Sequence, residues 1–123
     1  MDGAVSSPST ANPDAVVAIT TVDQRAKAEE IARALVDARL AACVSILTDL
    51  TSVYRWKDAV AEESEVLLLI KTRRTRLDEL KSWLATHHPY DAPEFLAFES
   101  VAVTDDYLSW LLQATQPARS GDP

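Results

Sequence analysis

Glycine is almost missing from this chain. The 123 residues contain two, Gly3 and Gly121, one near each end. Between about Asp14 and Gln116 there is none. That absence excludes a Walker loop, a dinucleotide-binding fingerprint and a G-x-S-x-G nucleophile elbow, each of which needs glycine for backbone reasons. Turns have to be built from Asp, Asn, Ser and Pro instead. Cysteine is equally scarce: Cys43 stands alone, so no intrachain disulfide is possible. A single thiol suits a reducing compartment. Positive charge is also short, with 12 Lys and Arg against 19 Asp and Glu, a net charge of -7. A general nucleic-acid or anionic-membrane binder needs a basic patch, so neither partner is expected. No apolar run approaches the roughly 20 residues of a membrane helix. The first residues, Met1 to Pro13, lack a basic n-region and an apolar h-region and are not expected to be a secretory signal. They are rich in Ser, Ala, Pro and Asn, and 1–13 and 117–123 read as flexible tails around one domain, 14–116.

Histidine is scarce too, but its placement is informative. Both histidines fall in His87-His88-Pro89-Tyr90-Asp91-Ala92-Pro93-Glu94. The prolines stiffen this corner and steer the chain toward extended structure. Histidine binds metals and moves protons near neutral pH, so a functional reading is open. A helix C-terminus also favours His for dipole reasons alone.

The hydrophobic pattern alternates between two periods. Asp14 to Thr21 reads as a strand, β-branched and apolar. Asp23 is placed to cap a helix to about Arg39, with Ala28, Ile31, Ala32 and Leu35 on one face. Leu40 to Leu47 is apolar again, Thr48-Asp49-Leu50 is a break, and Thr51 to Trp56 resumes as strand. Lys57 to Glu63 reads as a polar turn and Glu65 to Thr72 as a third strand. Thr75-Arg76-Leu77-Asp78 has the form of a capping box. It opens a helix with Leu77, Leu80 and Leu84 that ends near His87. Pro93 to Val103 reads as a fourth strand, and Thr104-Asp105-Asp106 caps a last helix.

This order, β-α-β-β-α-β-α, gives an α+β class: a ferredoxin-like βαββαβ sandwich with an additional C-terminal helix. Right-handed crossovers put both crossover helices on one face of the sheet. The other face should then be polar at alternate positions. Strand three contradicts that, since Val66, Leu68 and Ile70 point one way and Leu67 and Leu69 the other. Strand one does the same. Apolar side chains on both faces imply cover on both, either by a partner subunit or by the last helix folded over the open face.

Several residues carry possible chemistry. Lys71 is expensive to bury without a carboxylate, and Glu94 is the candidate partner. Such a pair is either structural or part of an anion-binding cleft. Cys43, His87 and His88 offer one thiolate and two imidazoles, ligands that suit copper or zinc. Their spacing matches no metal motif, and a lone Cys in a strand is commonly core. No nucleophile–base–acid arrangement stands out. Tyr54, Trp56, Tyr90 and Trp110 fit a pocket or an interface equally well.

Taken in order, these residues resemble the CutA divalent-cation tolerance family. The resemblance is carried by Leu40-Ala41-Ala42-Cys43-Val44, Ser52-Val53-Tyr54-Arg55-Trp56, Glu63-Ser64-Glu65-Val66, Ile70-Lys71-Thr72, His87-His88-Pro89-Tyr90 with Pro93-Glu94, and Tyr107-Leu108-Ser109-Trp110. It runs from about Val17 to Leu112. It implies a compact, PII-like homotrimer in the cytoplasm, linked to tolerance of copper and other divalent cations. The resemblance maps an inter-subunit cleft onto Tyr54, Trp56, Glu63, Glu65, Lys71, His88, Tyr90 and Glu94, and a metal-linked cysteine position onto Cys43. On this reading the ligand is copper or another divalent cation, without organic cofactor or catalysis. The alternative is a PII-like sensor that takes a small anionic metabolite in the cleft through Lys71 and signals to a protein partner. Two departures concern turns: Asp58 and Thr104-Asp105-Asp106 stand where the family often has glycine. With Cys43 alone, a multi-thiolate Cu(I) site within one subunit is excluded.

Overall fold

A computed structural model describes residues 14–117; the two tails assigned from the sequence lie outside the described residues, apart from Pro117. The elements are β1 (Ala15–Val22), α1 (Arg25–Asp37), β2 (Cys43–Trp56), β3 (Ala59–Arg73), a 3-10 turn (Arg74–Arg76), α2 (Leu77–His87), β4 (Leu96–Glu99) and α3 (Asp105–Ala114). The four strands form one sheet in the order β2-β3-β1-β4. All neighbours are antiparallel, which gives the ferredoxin-like topology.

One face of the sheet carries the core. Ala18 and Val22 of β1 and Val66, Leu68 and Ile70 of β3 pack against Ala28, Ile31 and Leu35 of α1 and Leu80 and Leu84 of α2. The three-to-four-residue spacing of these helical positions lays them along one stripe. The even numbers in each strand put them on one side of the pleat. Arg76 locks the two crossover helices together. It is 7% exposed, and its guanidinium donates to the carbonyls of Arg39 and Ala38, at 3.2 and 3.4 Å, and to Glu79 Oε1 at 2.7 Å. It thereby satisfies carbonyls left free where α1 ends.

The opposite face is only partly covered. Leu111 of α3 is buried against Ala15 and Ala42, with Leu108 and Leu112 beside it. Arg73 fastens this helix by donating to Thr115 Oγ1 at 2.9 Å and to the Leu112 carbonyl. Beyond that corner, Val17, Ile19, Leu67 and Leu69 stay half-buried, and Leu47, Leu96 and Phe98 are exposed at 40%, 51% and 44%. The last helix therefore covers one end of the face and leaves an apolar strip.

Five expectations need correction. Lys57 to Glu63 is not a turn: the chain reverses in two residues, Lys57 and Asp58, and Trp56 pairs with Ala59. Both turn residues have positive φ, 50° and 65°, as a type I′ hairpin requires. The break at 48–50 is a bulge within a continuous 14-residue strand, with Asp49 at φ 64°. The fourth strand shortens to four residues, because only Val16–Ile19 of β1 pair with it. The capping box does not form. Thr75 lies in the 3-10 turn, Arg76 is the N-cap of α2, and no side chain caps it. Asp23 likewise yields its expected place to Gln24, which makes no side-chain cap.

Two measurements check this account. Leu35→Ala removes a fully buried side chain between α1 and the sheet and should cost about 2–5 kcal/mol in urea unfolding. Asp58→Gly relieves a positive-φ residue and should stabilise by about 0.5–1 kcal/mol, read as a raised midpoint.

Candidate functional site

The β2–β3 hairpin carries the first wall of the site. Its register sets Leu50 opposite Glu65, Ser52 opposite Glu63, Tyr54 opposite Ala61 and Trp56 opposite Ala59. Paired residues in an antiparallel ladder share a face, so the Tyr54 and Trp56 rings and the Glu63 and Glu65 carboxylates stand together. The segment after α2 supplies the second wall. Tyr90, Asp91, Ala92 and Glu94 close over the hairpin and enclose a concave volume of about 700 Å³. That size falls in the usual range for small-molecule sites, about 300–1,000 Å³.

Two phenols orient two carboxylates. Tyr54 donates to Glu63 Oε1 at 2.8 Å, and Tyr90 donates to Glu65 Oε2 at 3.2 Å. The hydrogen bond to Glu63 keeps the Tyr54 hydroxyl protonated above its ordinary range. Burial, reinforced by the Glu65 charge, does the same for Tyr90 more strongly. Both tyrosines are thus neutral donors at any physiological pH.

His88 holds the second wall in place and does not itself line the cavity. It is 8% exposed. Its Nε2 lies 2.9 Å from the Thr21 carbonyl, and its Nδ1 accepts from the Tyr90 backbone N–H at 3.0 Å. One nitrogen faces an acceptor and the other a donor, which is the pattern of a neutral imidazole protonated at Nε2. The ring also meets Tyr90 edge-on at 4.9 Å between centroids. Burial pushes the His88 pKa down, against the Thr21 carbonyl and the Asp23 and Glu65 charges, which pull it up. His87 faces elsewhere. It is exposed, stacks on Trp83 at 4.1 Å, and places Nδ1 2.9 Å from the Trp83 carbonyl.

Cys43 and Lys71 sit at another part of the same face. They are ladder partners. Lys71 Nζ donates to Ser45 Oγ and approaches Cys43 Sγ at 3.7 Å. The row through Lys71 and Val17 is four residues along β1 from Thr21, where His88 docks, about 13 Å at strand rise. Lys71 is therefore not in the cavity, and Glu94, expected as its partner, lies in the cavity wall instead. Tyr107 of α3 stands near Cys43; burial and then the Cys43 charge raise its pKa. Of the residues singled out from the sequence, the fold gathers Tyr54, Trp56, Glu63, Glu65, Tyr90 and Glu94. It does not bring Cys43, His87 and His88 to one ion within a subunit, because the two imidazoles diverge and both His88 nitrogens are engaged. Among the described residues, no three His, Cys, Asp or Glu side chains converge as a metal-binding set. Sequence reasoning missed Asp91, Ser52 and Thr21 as lining residues; Asp91, two residues from His88 in the proline-stiffened corner, was the most accessible of them.

With this geometry in hand, comparison with known proteins places the chain. The family described as CutA1 divalent ion tolerance protein matches residues 16–114, nearly the whole described domain. The chain belongs to the CutA family. The divalent-cation tolerance protein CutA of Thermus thermophilus is 43% identical over 99 residues, which are 80% of this chain and 96% of that protein. Protein CutA of Mus musculus is 39% identical over 99 residues, 80% of this chain and 56% of the mouse protein, so the chain spans little more than half of that relative. The crystal structure of CutA from Xylella fastidiosa superposes with a TM-score of 0.82 at 34% identity, covering 85% of this chain and 100% of that one. The CutA fold thus accounts for the sheet order and the third helix. No helix among the described residues is long and apolar enough to cross a membrane.

The buried neutral His88 makes stability depend on pH. Its folded pKa lies below the unfolded value near 6.5, so the unfolded chain binds more protons as the medium acidifies. The stabilisation is fully present above about pH 6.5 and is lost as the pH falls through the lowered folded value. Urea midpoints at a series of pH values from 7 downward should fall in the wild type, with a shallower fall in His88→Gln.

Proposed function

We propose that the protein acts in divalent-cation tolerance as a homotrimer, with copper foremost among its ions, in the cytoplasm and without catalysis. The observation that carries this reading is membership of the CutA family over residues 16–114. The relatives' names support the metal-related role. The assembly is supported by the uncovered strip of Leu47, Leu96 and Phe98, beside half-buried Val17, Ile19, Leu67 and Leu69. A contiguous apolar strip on a sheet is a site for a further layer of protein. A free 14-residue edge on β2 offers backbone donors and acceptors to the same neighbour.

The donors divide the roles in metal binding. Cys43 is the single thiol and the soft ligand best suited to copper. Exposed His87 is the imidazole candidate, since both nitrogens of buried His88 are engaged, and neither ring reaches Cys43's ion within one subunit. A copper site built on Cys43 therefore draws its remaining ligands from a neighbouring subunit. Lys71, beside the thiol, is a cation and competes with a metal for that sulfur. The sensor reading, in which Lys71 grips an anion in the cleft, gains nothing from a lysine that lies outside the cavity.

Native mass spectrometry, with and without one equivalent of copper per chain, tests the proposal. The expected species is a trimer that takes up three ions, or one on its axis. Uptake should weaken in Cys43→Ser and persist in Lys71→Ala. A monomer overturns the assembly, and a trimer that stays bare overturns direct metal binding.

A further inference from the structure

We draw no further inference here: the strongest candidate, the groove lined by Ala32, Val36 and Val44 between the C-terminal half of α1 and the free edge of β2, adjoins the surface on which the proposed neighbouring subunit would sit, and nothing in the structure shows what else covers it.

Discussion

A slip of one residue in the pairing of β2 with β3 decides which side chains of the hairpin share the open face. Up to Leu47 the odd-numbered residues of β2 share the open face, with Cys43 opposite Lys71 and Ser45 opposite Leu69. Thr48 and Asp49 then stand against Val66 alone, with Asp49 in the left-handed region. From Leu50 onward the even-numbered residues take the open face. Because strand side chains alternate with a period of two, a regular ladder would have turned Tyr54 and Trp56 to the other side. The bulge puts both rings beside Glu63 and Glu65. The I′ turn at Lys57–Asp58 then preserves that register to the tip of the hairpin.

The second wall depends on a different contact. His88 ends α2, ties the helix terminus to the Thr21 carbonyl and accepts from the Tyr90 N–H. The prolines that follow limit the ways the chain can leave that anchor. Tyr90 is thereby delivered to Glu65, across the sheet from where its own helix packs. The histidine that looks in the sequence like a metal ligand is used here as a neutral, two-sided bracket. The scaffold behind it is held by Arg76, whose buried guanidinium takes carbonyls at the end of α1 and a carboxylate at the start of α2.

The sheet's two faces differ in composition and cover. The helix-covered face is a dense apolar core. The other face runs from an apolar strip at its centre to an acidic, aromatic cavity at the hairpin, with Cys43 and Lys71 near the helix α3 corner. Helix α3 closes that corner within the subunit. The uncovered strip lies on this face and the free edge of β2 runs beside it, and these are the surfaces on which the proposed neighbouring subunit would sit.

Local pattern was enough for much of the fold. Continuous β-branched and apolar runs marked β1 and the inner half of β3, and helical spacing marked α1, α2 and α3, because burial of those faces is written into their periodicity. The absence of glycine excluded the nucleotide and nucleophile-elbow folds outright. The same logic failed for Ala59–Glu63, which is largely exposed and forms strand because β2 pairs with it. It failed for the Thr75 capping box, where Arg76 and its distant carbonyls set the helix start. The site was legible as a set of residue types, Tyr54, Trp56, Glu63, Glu65, Tyr90 and Glu94. Their convergence was decided only by the bulge at Asp49 and the bracket at His88. Those features join residues far apart in the chain, and no local propensity encodes a register that exists only once the strands are paired.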